Sequence, residues 1–219
     1  MIKGAIYDLD DLMVNSHPLH DRSWEKPLGK FGKKISDIPE SIRKRLIGRR
    51  VKDIADEVIR YFRIETDIDA FNAERQAAFM ELVKEHLESL PGLVHSLKLL
   101  KKNGYKIAVG SSGSSEYVHF VLERFSIRGY FDAVVTGDDV KIGKPHPETY
   151  LVASKKLGLK PEECVVLEDA TQGILSAKAA GCKCIAVKNI NTPVQDHSKA
   201  DIIVNSLEDI SIGIIHKLD

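Results

Sequence analysis

The chain has 219 residues, enough for one large domain or for a core with a smaller insert. Hydrophobic residues make up 43% of it, which sustains a packed core and argues against disorder. Lys and Arg total 32 and so do Asp and Glu, so the formal net charge is zero. That balance argues against a general nucleic-acid binder, which needs a basic surface, but leaves room for a local pocket for a small anion. The cysteines Cys164, Cys182 and Cys184 form no regular framework and read as small buried residues of a reducing, cytoplasmic setting. The N-terminus carries acids by Asp8 and has no apolar leader. No apolar run approaches the roughly 18 residues of a membrane span, so no membrane partner is expected.

In chain order, residues 4–8 read as a short apolar strand ending in acids. From His17 to Leu90 the texture becomes helical and charge-rich, with segments at 18–31, 39–47, 51–62 and 69–90; the acids and lysine of 81–88 read as a solvated helix face. Pro91-Gly92 interrupts the chain. A helix at 93–102 ends at Asn103-Gly104, a C-terminal cap signal. The pattern then alternates: strand 105–110, helix 116–125, strand 133–136, helix 147–157, strand 164–167, helix 171–180, and strands 184–187 and 202–204. Strands separated by helices imply βαβ units and a parallel sheet. The expected fold is a doubly wound, Rossmann-like α/β core formed by residues 1–15 and 91–219, with residues 16–90 inserted as an α-helical cap domain.

Sites in such folds form at the C-terminal ends of the strands. Those ends carry Asp8-Leu9-Asp10-Asp11, then Gly110-Ser111-Ser112-Gly113-Ser114, then Gly137-Asp138-Asp139 with Gly143-Lys144-Pro145, and finally Glu168-Asp169. Two carboxylates about 4 Å apart repel by about 4 kcal/mol at an effective dielectric near 20, so such a cluster calls for a divalent cation. An all-oxygen donor set suits Mg²⁺, which commonly shares itself with a phosphate. Lys144 and the Ser111–Ser114 loop supply donors for an anion. Metal, anion cradle and carboxylates together point to phosphoryl transfer. Asp8 and Asp10, two apart, leave the strand on one side: one can attack phosphorus, and the other can shuttle the proton.

The four motifs in this order resemble the haloacid dehalogenase superfamily, in the branch with a helical cap that includes β-phosphoglucomutase-like and phosphoglycolate phosphatase-like enzymes. The motifs are DLDD at the first strand end, Ser111 after KIAVG, Lys144 in GKPHPE, and Glu168-Asp169 before TxGxxSAxxAG. The resemblance covers nearly the whole chain. It implies that Asp8 is the nucleophile and a metal ligand, and that Asp10 is the acid/base with its carbonyl on the metal. It implies phosphoryl binding by Ser111 and Lys144, extended to Ser112 in the same loop, and Mg²⁺ ligation by Glu168 and Asp169. The family usually has Gly where this chain has Asp11, and Asp where it has Asn15; both changes fall in the motif loop. His20 stands where β-phosphoglucomutase-like members place a cap histidine. Arg49 and Arg50, after Gly48, are candidates to clamp substrate oxygens, with solvated arginines as the alternative. Asp138 and Asp139 are candidates for an indirect role, with a turn as the alternative.

The implied activity is Mg²⁺-dependent hydrolysis of a small phosphorylated metabolite by a monomeric enzyme, with the cap closing over a sugar phosphate or nucleotide-derived monoester. The alternatives are a phosphoglucomutase-type isomerase using the same phosphoenzyme, and an inactive or phosphate-sensing binding protein. A receiver domain of the signalling type fits poorly, because its phosphorylated acid sits on a later strand and it has no inserted helices.

Overall fold

A computed structural model describes all 219 residues. Six strands form one sheet in the order β3-β2-β1-β4-β5-β6, and every neighbouring pair is parallel. They are β1 (Gly4–Tyr7), β2 (Lys106–Gly110), β3 (Ala133–Val135), β4 (Cys164–Glu168), β5 (Lys183–Val187) and β6 (Ile202–Val204). Strand β1 is central because all four of its residues are buried, as a strand covered on both faces requires. Tyr7 pairs with Val109 of β2 and with Leu167 of β4, so the three strand ends lie level. Strand order turns around between β1 and β4, and a crevice forms at such a point.

One face of the sheet is covered by α6 (Leu93–Lys102), α7 (Ser115–Arg124) and α10 (Ile212–His216), which bury Leu97, Val118 and Ile215 among the strand residues. The other face is covered by α8 (Glu148–Leu157) and α9 (Thr171–Ala179), through Tyr150, Ala153, Ile174 and Ala177. Gly173 is required in α9, because a Cβ there would lie 1.5 Å from Glu168 Oε1.

Between β1 and α6 lie five helices: α1 (His17–Ser23), α2 (Glu25–Gly29), α3 (Glu40–Leu46), α4 (Val51–Phe62) and α5 (Ile68–His86). They enclose a small core of their own, including Trp24, Leu28, Val58 and Phe71. The single helix expected over 18–31 is broken at Trp24, whose N–H bonds back to Asp21 and Arg22. Pro27 has no N–H to continue the ladder, so it fits the first turn of a new helix rather than the middle of a longer one. The helix expected to run to Leu90 stops at His86, where the chain becomes extended. There Ser89 bridges Val14 antiparallel, Asn15 N–H donates to Glu88 at 2.9 Å, and Leu90 N–H donates to Met13 at 2.9 Å. Helix α10 was not expected from the sequence. No helix is long and apolar enough to cross a membrane.

Candidate active site

Asp8 follows β1 directly and is buried. Lys144, from the loop before α8, has no side-chain exposure and donates to Asp8 Oδ1 at 2.6 Å and to Glu168 Oε1 at 2.7 Å. Glu168 ends β4 and also accepts the hydroxyl of Tyr150 at 2.7 Å and the backbone N–H groups of Asp169 and Ala170 at 3.0 and 2.9 Å. Asp8, Glu168 and Asp169 can each present an oxygen within 4.8 Å of the others. Asp169 Oδ2 is buried with no partner.

Burial pushes the Asp8 carboxyl well above the usual range; the Lys144 charge opposes this, and Glu168 and Asp10 reinforce it. Asp169 is pushed up by burial and then by the charges of Glu168, Asp11 and Asp8. Lys144 moves the opposite way to a buried lysine, because the Asp8 and Glu168 charges outweigh its desolvation and raise it. Three carboxylates against one ammonium leave two negative charges, which is the charge of one divalent cation. The oxygen-only donors and the orphaned Asp169 oxygen fit a hard cation of the Mg²⁺ kind.

Asp10 leaves the strand end beside Asp8 and is only partly exposed. Its Oδ1 accepts the Tyr117 hydroxyl at 2.7 Å and lies 3.4 Å from His20 Nε2. His20 Nδ1 faces Arg75 Nη2. Arginine only donates, so Nδ1 is the acceptor and Nε2 carries the hydrogen given to Asp10. Burial and the Arg75 charge lower the His20 pKa and favour this neutral ring, which stacks on Phe79 with centroids 4.1 Å apart. Burial works to raise Asp10, yet hydrogen bonds led by His20 hold it below its ordinary value.

Asp11 occupies the left-handed region at φ 60°, a conformation that Asp tolerates better than most residues. Its carboxylate accepts from the N–H groups of Ser16 at 3.1 Å and His17 at 2.8 Å, capping α1. Its carbonyl accepts from Asn189 Nδ2 at 2.7 Å. Burial and the nearby Asp10 charge push its carboxyl up to about 7.

A cavity opens over Asp8 and Asp10 and is walled by the helices of 17–86. His20, Ser112, Arg43, Arg49 and Arg75 line it, with Trp24, Ile47 and Ile54 as apolar wall. Ser112 Oγ donates to the Gly48 carbonyl at 2.8 Å, while the buried Ser111 Oγ accepts from Gly113 N–H at 2.9 Å. Arg49 is paired with Glu57 at 2.6 Å. Arg50 is held by Asp53 at 3.0 and 3.1 Å and by the carbonyls of Val140 and Lys141 at 3.1 and 3.0 Å, and it does not line the cavity over Asp8. Arg43, by contrast, faces that cavity with its Nε unpartnered. Asp138 accepts the Ser115 N–H at 2.7 Å and Asp139 bonds Thr136, so both serve turns away from the carboxylate cluster.

A model of the haloacid dehalogenase-like hydrolases matches residues 5–187. This chain belongs to that family. Among relatives of this hydrolase, the fructose-1-phosphate phosphatase YqaB of Escherichia coli is 34% identical over 84% of this chain and 96% of its own length. Hexitol phosphatase A of the same organism is 33% identical over 96% of this chain and 94% of its own. The solved β-phosphoglucomutase from Clostridium difficile superposes with a TM-score of 0.87 at 26% identity, covering 100% of this chain and 97% of that one. Sequence reasoning reached the strand-end residues of this haloacid dehalogenase-like site but not Tyr117, Tyr150, Arg75, Arg43 or Asn189. These are helix or loop residues that meet the motif only through the fold. Gly173, by contrast, carried a signal, as the glycine of the Thr171-Gln172-Gly173 run.

Proposed function

We propose that the chain is a Mg²⁺-dependent phosphatase acting on small phosphomonoesters, sugar phosphates foremost, through an aspartyl-phosphate on Asp8. The observation that carries this reading is the pair Asp8 and Asp10 on one cavity floor, with Lys144 fixed on the first at 2.6 Å. The phosphatase relatives named above support the substrate class.

In the first step Asp8 attacks phosphorus, forming an O–P bond as the bond to the leaving oxygen breaks. Asp10 gives its proton to that oxygen. A bound phosphate dianion next to Asp10 raises its affinity for the proton it must donate. In the second step Asp10 takes a proton from water, the water oxygen attacks phosphorus, and Asp8 is released. Lys144 holds Asp8 and offsets negative charge on the transferring group, together with donors from Ser111 and Ser112. Asp8, Asp169, Glu168 and the Asp10 carbonyl would hold Mg²⁺, which when bound neutralises phosphoryl oxygens. The helices of 17–86 act as a cap that excludes water, and Arg43, Arg49 and His20 face the leaving group.

The test is phosphate release from a panel of sugar and polyol phosphates with and without Mg²⁺. Asp8→Asn is expected to abolish release while the protein stays folded; turnover surviving in that variant sinks the phosphoenzyme. A second reading, a phosphoglucomutase-type isomerase, draws support from the His20 contact to Asp10. Conversion of β-glucose 1-phosphate to glucose 6-phosphate without free phosphate would establish it instead.

A further inference from the structure

We infer that Tyr117 is a positioning residue for the acid/base Asp10, acting on the proton-transfer half of the reaction; the inference rests on the phosphatase reading above. Tyr117 lies in α7, is 1% exposed, and does not line the cavity. Its hydroxyl donates to Asp10 Oδ1 at 2.7 Å, with Ser16 also beside it. The ring is fixed on two sides, edge-on to Phe79 with centroids 4.9 Å apart and to His20 at 6.5 Å. Space for it comes from Gly113 at the head of the same loop, where a Cβ would sit 2.9 Å from Tyr117 Cδ1. The backbone N–H of Tyr117 is tied to the Ser114 hydroxyl at 3.4 Å. The anion-binding loop after β2 and the hydroxyl that holds Asp10 are thus parts of one short stretch of chain.

Asp10 Oδ1 is occupied by donors from both sides, Tyr117 and the His20 Nε2–H. That leaves Oδ2 as the oxygen that can carry and deliver a proton. A phenol hydroxyl set against a carboxylate oxygen is the donor of the pair. Without the phenol, χ2 of Asp10 rests on the 3.4 Å His20 contact and the neighbouring Ser16 hydroxyl, and the carboxyl spends less time aimed at the leaving oxygen. Phe in its place keeps the ring contacts and removes one hydrogen bond, so the fold is retained.

The decisive experiment is the phosphorylation step of the Mg²⁺-loaded full-length enzyme, followed by rapid quench in the parent and in Tyr117→Phe. It is run with the best sugar phosphate from the panel and with p-nitrophenyl phosphate. An alkoxide leaving group needs the acid, whereas p-nitrophenolate scarcely does. The expected result is a step slowed about tenfold or more with the sugar phosphate, with KM changed less than about twofold, and a step nearly unchanged with p-nitrophenyl phosphate. Equal slowing with both substrates, a change in KM alone, or no change overturns the assignment. A parent enzyme that turns over neither substrate overturns the phosphatase reading instead, and thermal midpoints of the two proteins report whether the variant has kept its fold.

Discussion

Asp11 holds a left-handed backbone where its family usually has glycine, and its side chain does something glycine cannot. It caps α1, a helix whose own N-cap residue, Ser16, makes no side-chain cap. Replacing it separates the two duties. Asp11→Ala loses the cap and keeps a Cβ at φ 60°, so urea unfolding should show a loss of about 2 kcal/mol. Asp11→Gly loses only the cap and should cost about half as much. Asp11→Asn keeps both the acceptor and the tolerance for this backbone, and should be near neutral. The same residue shows what sequence alone reveals. That its turn would survive was readable from the backbone preference of Asp; that its carboxylate reaches forward to Ser16 and His17 was not, because it depends on the loop's path.

Among the elements, α9 is the most exacting. Gly173 lets its backbone press against Glu168, whose carboxylate anchors Lys144. Gly173→Ala would raise helix propensity in an isolated peptide, yet here it must displace a buried carboxylate. Overpacking of this kind costs about 1–3 kcal/mol, and turnover should fall together with stability in the purified variant. A variant as stable and active as the parent would show that Glu168 has room to move. Unlike the short α10, the strands and the helices α6 to α9 were legible because their periodicity and their punctuation agree. The inserted helices were less so. Trp24 is apolar and fits a continuous helix by pattern, and only Pro27 marks the break. The pairings of Arg49 with Glu57 and Arg50 with Asp53 lie eight and three residues away in sequence, yet a helix–helix turn has to place them first.

At the scale of the molecule, the carboxylates should make stability depend on pH and, on the proposed reading, on a divalent cation. Asp8, Asp11 and Asp169 all sit above their ordinary pKa, with Asp11 at about 7. An acid raised in the folded state stabilises below its unfolded pKa, and this contribution disappears as pH rises through the folded value. In the metal-free protein the contribution of these three acids should therefore shrink as pH climbs from about 4 to about 7, since ordinary Asp titrates near 3.9, while the lowered pKa values of His17 and His20 act in the opposite direction. If Mg²⁺ is held by the ionised carboxylates as proposed, it should raise the melting temperature more at pH 8 than at pH 5, and chelation should reverse the gain. Scanning calorimetry across pH with Mg²⁺ and with EDTA checks both; equal gains at both pH values would count against a site made of these acids.

The path of the chain has one more consequence. Residues 17–86 join the sheet at two places, and those two crossings are not independent tethers: Val14 bridges Ser89, and the amides of Asn15 and Leu90 cross-link the pair. Two ropes would leave the helices free to swing in any direction, whereas a laced pair behaves as a flat ribbon, stiff in its own plane and compliant about one line. The ribbon begins at Asp10, which bridges Val14 across the motif loop. Any tilt about that line would start from the backbone of the residue that carries the Asp10 carboxylate.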